Sequence, residues 1–141
     1  MGKSTQAHLE RTIQKDQPLS VRQQELKKMN YYMGAKLLEV GVNPQSPEIL
    51  YRWSIKTEGE QQFCTLSAFW GESKAKLLSG EYPLTGEELI NCAKPNVNQG
   101  LSNVAQLCGY GSDVKGFQSS LKETMEEMGI VSESLGSLIE R

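Results

Sequence analysis

Between Leu26 and Lys56 the spacing of apolar residues changes period, and that change limits the fold more than any other feature of the chain. Leu26, Met29, Met33, Leu37 and Val40 recur every three or four residues, which places them on one stripe of a helix. Ser20 followed by Gln23 predicts a capping box at its start, Gly41 closes it, and the two prolines of "GVNPQSP" end the pattern. Next, "EILYRWSIKT" puts Ile49, Tyr51, Trp53 and Ile55 on one face of a strand and Arg52, Ser54 and Lys56 on the other. "EGE" turns the chain and "QQFCTLSAF" returns. A long helix followed by a half-buried hairpin implies an α+β fold. A two-stranded ribbon is marginal alone, so its aromatic face is expected to cover helices.

The rest reads as short helices. "WGESKAKLLSG" ends at Gly80, and "PLTGEELINCAKP" runs from a Thr85 cap with Glu88 to the stop at Pro95. "GLSNVAQLCGYG" and "SDVKGFQSSLKETMEEMGI" give a helix-turn-helix-like pair, the second capped by Ser112 and buried through Val114, Phe117, Leu121, Met125 and Met128. "VSESLGSLIER" adds a last turn or two. The expected organisation is a flexible basic tail over residues 1–17 and a single α+β domain over 18–141, with a helix-plus-hairpin lobe (18–80) and a helical lobe (81–141).

Charge is uneven. The net charge is −2 over 141 residues, yet residues 1–36 hold seven Lys or Arg against three acids. A basic arm on an acidic body suits nucleic acid, an acidic partner or its own domain. No stretch approaches the ~20 apolar residues of a membrane helix, and the start lacks an apolar signal segment, so a cytoplasmic protein without a membrane partner is expected. Cys64, Cys92 and Cys108 sit in apolar contexts at wide spacings, the mark of buried core thiols.

Catalytic chemistry finds no foothold. His8, the one histidine, falls in the expected tail, whereas triads and histidine metal sites need a rigidly held ring. Glu87 with Glu88 and Glu126 with Glu127 are helix neighbours whose side chains diverge. "GKST" lacks the upstream glycine of a phosphate loop, and Gln6 stands where a myristoylation signal at Gly2 wants Ser or Thr. Neither an enzyme nor a cofactor or metal site is expected.

"NVAQLCGYGSDVKGFQSSL" is the functional lead. Ala105 is small where helices cross, Gly109 permits a tight turn, and Val114, Phe117 and Leu121 lock the second helix. Lys115, Gln118, Ser119 and Lys122 are the side chains placed to meet a nucleic acid or protein partner, with Lys27 and Lys28 from the basic segment. However, residues 113–128 carry two lysines against four acids, the wrong sign for a groove-reading helix.

A wider window, Tyr82 to Ile130, resembles the N-terminal part of cyanobacterial AbrB-like transcription regulators, on Leu84, Thr85, Gly86 and Leu89, then Ala105, Cys108, Gly109, Tyr110, Phe117, Gly129 and Ile130. That resemblance implies a relative of a regulatory accessory module, since no swapped-hairpin DNA-binding domain follows. The chain is therefore expected to be a small non-catalytic regulatory or adaptor protein that binds another protein, with a homodimer as one option. DNA binding through the 100–128 helical pair is the first alternative. The second is a small-molecule sensor with a pocket lined by Trp53, Phe63 and Trp70.

Overall fold

A computed structural model describes residues 4–139, so Gly2 and Lys3 of the two motif echoes lie outside the described residues. The fold is α+β, and it divides into two compact units, residues 1–74 and 75–141. The division falls inside a helix, six residues before the boundary at 80 expected between the helix-plus-hairpin lobe and the helical lobe.

The first unit runs β1 (Gln6–Gln14), α1 (Leu19–Glu39), β2 (Leu50–Glu58) and β3 (Gln61–Phe69). The strands form one antiparallel sheet in the order β1-β3-β2. Most of the expected flexible tail is thus an edge strand, with Ala7 opposite Ala68 and Ile13 opposite Gln62. The reason is that β3, pairing β2 on one side, offers a row of unsatisfied backbone groups on the other, and residues 6–14 satisfy them. Gly59 opens the two-residue hairpin loop with φ 59°, the conformation a first loop residue needs when the strands twist normally.

Ala7 and Ile13 of β1, Cys64, Leu66 and Ala68 of β3, and Ile49 before β2 meet Met29, Met33 and Leu37 of α1 in one core. Tyr51, Trp53 and Ile55 pack against it from β2, the face their alternation predicts. The Ser20–Gln23 capping box does not form. Pro18 occupies the cap with φ −54°, and its carbonyl accepts from the Val21 and Arg22 N–H groups, so the helix begins before Ser20 could cap it.

The second unit is helical. α2 (Gly71–Leu78) crosses the boundary, followed by α3 (Gly86–Ala93), a 3-10 helix (Lys94–Gln99), α4 (Leu101–Leu107), α5 (Val114–Met128) and α6 (Glu133–Ile139). Leu89, Ala93, Val104, Ala105, Leu107, Phe117, Leu121, Leu135 and Leu138 fill its core. Thr85 takes the extended cap conformation without a side-chain bond. Asp113, not Ser112, caps α5: its Oδ1 accepts from the Gly116 N–H at 3.0 Å. Met128 is exposed and Thr124 is buried instead; Met128 keeps the spacing of Phe117, Leu121 and Thr124 but is the last residue of α5 before the Gly129 cap. The three cysteines are all buried, as expected.

Candidate functional site

α1 carries two stripes. The first, Met29, Met33 and Leu37, is buried. The second is Tyr31, Gly34, Ala35 and Leu38, spaced i, i+3, i+4, i+7, and it faces outward: Tyr31 is 74% and Leu38 64% exposed. With Pro44 and Tyr51 opposite, these residues line a groove of about 450 Å³. Its shape follows from the sequence. Gly34 and Ala35 keep the helix surface low between two large side chains, and the proline loop returns the chain to β2 beside them. The Tyr51 hydroxyl donates to the Pro44 carbonyl at 2.7 Å, which ties the loop to the sheet, and Asn30 and Gln45 add polar side chains to the lining.

Among the described residues no charged side chain lines this groove. Lys27, exposed one turn before Tyr31 on the same stripe, stands at its end. Lys28 is also exposed and pairs with Glu25 at 3.2 Å, a surface ion pair of little energetic weight.

The expected pocket of Trp53, Phe63 and Trp70 is not assembled. Trp53 and Trp70 pack against the sheet's core face, whereas Phe63 lies opposite Thr12 and Lys56 and alternates with Cys64 onto the other face, 37% exposed. Alternation along β3 separates residues that composition alone had grouped.

His8 is on β1 rather than in a tail. Its Nδ1 lies 2.7 Å from Ser67 Oγ and its Nε2 3.2 Å from Gln6 Oε1. Partial burial, with the charges of Arg52 and Lys36, holds the imidazole below its ordinary pKa of 6.5. Among the described residues no group of three or more His, Cys, Asp or Glu is placed to hold a metal ion, and no helix is long and apolar enough to cross a membrane.

On α5, Lys115, Ser119 and Lys122 are exposed. Gln118 is not available as a reader of bases: its amide donates to the Leu138 carbonyl at 2.8 Å and the Ile139 carbonyl at 3.4 Å, so it caps the end of α6. The "LTG" and "CGY" segments meet. The Leu84 N–H donates to the Cys108 carbonyl at 2.9 Å, and the Tyr110 hydroxyl donates to the Leu84 carbonyl at 2.7 Å. Gly109, at φ 87°, passes so close to the Tyr82 carbonyl that any side chain would strike it.

Sequence reasoning missed Gly34, Ala35, Leu38 and Pro44. The signal was present as a second helical stripe beside the first, and it went unread because two of its members are small. Compared with known proteins, the chain matches no family model, no curated protein and no solved structure.

Proposed function

We propose that this chain is a small non-catalytic regulatory or adaptor protein, and that it works by taking an amphipathic helix of a protein partner into the α1–β2 groove. The observation that carries the reading is the exposed stripe Tyr31–Gly34–Ala35–Leu38 beside Pro44 and Tyr51. Two large apolar side chains at 74% and 64% exposure, flanking small residues over an uncharged trough, are the features by which helices dock in grooves. Lys27 at the groove's end favours a helix with an acidic flank.

The second unit fits the regulatory half of this reading. What supports it is that Leu84 is bonded to Cys108 and to Tyr110, which ties the "LTG" and "CGY" segments of the resemblance to each other. In this unit, α4, the Gly109 turn and α5 act as a helix-turn-helix-like packing element. Direct DNA binding has less support, because Gln118 is spent on α6 and the surface of α5 is net acidic.

The test is affinity capture from native extract with the wild-type chain and with a Tyr31→Asp, Leu38→Asp variant. Both positions are exposed, so the variant should fold. A discrete protein retained by the wild type and lost by the variant is the expected result. A partner captured equally by both, or duplex DNA bound with a steep salt dependence, would overturn the assignment. Sedimentation separates a second copy from a different protein as the occupant.

A further inference from the structure

Cys92, on α3, and Cys108, at the end of α4, are 1% and 0% exposed, and their sulfurs lie 3.2 Å apart. Fifteen residues separate them in the chain, so the approach is made by the fold. Closing from this contact to a bond of about 2.05 Å requires a movement of about 1.2 Å, within reach of side-chain rotation and slight helix adjustment.

The surroundings are not purely apolar. Asn96, itself 1% exposed, directs its amide nitrogen to the Cys92 carbonyl at 2.6 Å and lies 3.9 Å from Cys92 Sγ. Gln99 in turn donates to Asn96 Oδ1 at 3.1 Å. Cys92 Sγ therefore receives the Cys108 thiol, has the Asn96 amide 3.9 Å away, and directs its own thiol to the Leu107 carbonyl at 3.9 Å. Cys64 supplies an internal contrast. It is equally buried, but it lies on β3, in a unit with no other cysteine.

We propose that Cys92 and Cys108 form a modification site, a buried dithiol that closes to an intramolecular disulfide when a small peroxide enters. The Cys92 sulfur attacks one peroxide oxygen, the O–O bond breaks, and the sulfur becomes a sulfenic acid while the departing hydroxide takes up the Cys92 thiol proton and leaves as water. The Cys108 sulfur then attacks that sulfur, the S–O bond breaks, and a second water leaves with the Cys108 proton. One peroxide is reduced to two waters as two thiols become one disulfide. The sulfenic acid forms within contact distance of its resolving thiol, so the disulfide outruns further oxidation. Burial excludes a bulky adduct such as a glutathione cap.

This site stands independently of the groove on α1. When closed, it would tie α3 to the end of α4 and fix the segments that carry "LTG" and "CGY".

The experiment treats the folded chain with hydrogen peroxide, quenches it, alkylates it in denaturant and weighs it. The expected product loses about 2 Da, carries one alkyl group at Cys64 in place of three, yields a Cys92–Cys108 linked peptide, and regains three alkylatable thiols with dithiothreitol. Its melting temperature should rise by several degrees over the reduced chain, because the closed loop restricts the unfolded state. Cys92→Ala and Cys108→Ala should each abolish the 2 Da loss. The mass measurement on the wild type stands by itself if either variant folds poorly. Three alkylatable thiols after treatment, stepwise oxygen addition without the 2 Da loss, or a disulfide involving Cys64 would overturn the proposal.

Discussion

Replacing Ile13 with alanine separates a strand from a tail. Ile13 is 3% exposed, belongs to the core with Met29, Met33 and Leu37, and sits opposite Gln62 on β3. The change removes three carbons, about 2.4 kcal/mol at ~0.8 kcal/mol for each buried methylene. The cavity left behind adds to this, and comparable substitutions cost about 2–5 kcal/mol. Ile13 is one residue from the end of an edge strand, where neighbours relax readily, so about 2–3 kcal/mol is expected. Both tryptophans, Trp53 and Trp70, pack against this same core, and their fluorescence during urea unfolding reports the first unit directly. The midpoint should fall with little change in slope, while Thr12→Ala, on the exposed face of the same strand, should stay within about 0.5 kcal/mol. If Ile13→Ala also stays within about 0.5 kcal/mol, residues 6–14 do not belong to the sheet and the account of the first unit fails.

Asp113→Ala should cost about 1 kcal/mol by leaving the Gly116 N–H without its acceptor, whereas Ser112→Ala should be near neutral; equal effects would contradict the cap assignment. Gly109→Ala should cost more than about 2 kcal/mol, because it combines a left-handed backbone with a collision at the Tyr82 carbonyl, and a helical melting curve like the wild type's would refute that packing. The depressed His8 pKa means that protonation favours the unfolded chain. Stability should therefore be full above 6.5, fall as pH drops from there toward the lower folded pKa, and level off below it. His8→Gln should remove that component, and an unchanged profile would show that His8 does not carry it.

The helix-to-strand change of period was enough to place α1, β2 and β3, and the Tyr51/Trp53 face lies where alternation put it. β1 was harder to read. Ala7, Leu9 and Ile13 alternate, but Arg11 interrupts them on the same face, where it lies over the Tyr32 ring at 5.5 Å. An edge strand needs only one apolar face, and its pairing is decided by a partner some fifty residues away, which no local window contains. Cap identities failed for a related reason. Ser112 and Asp113 are both good caps, and only the backbone geometry decides between them. At the candidate groove, Tyr31 was visible as a flanking aromatic, but its meaning depends on Pro44 and Tyr51 arriving opposite Gly34 and Ala35, a tertiary fact. Gln118 shows the converse, since its sequence position suggested contact with a partner while its amide was already committed to α6.

The central claim, that this chain acts through the exposed stripe of α1, is tested most directly by photocrosslinking in native extract from two positions. With the photoreactive residue at Leu38, the account predicts a discrete protein adduct that disappears in a Tyr31→Asp background, and with the residue at Lys115 it predicts no discrete adduct. A silent Leu38 together with protein or DNA adducts from Lys115 would contradict the claim and move the working surface to α5.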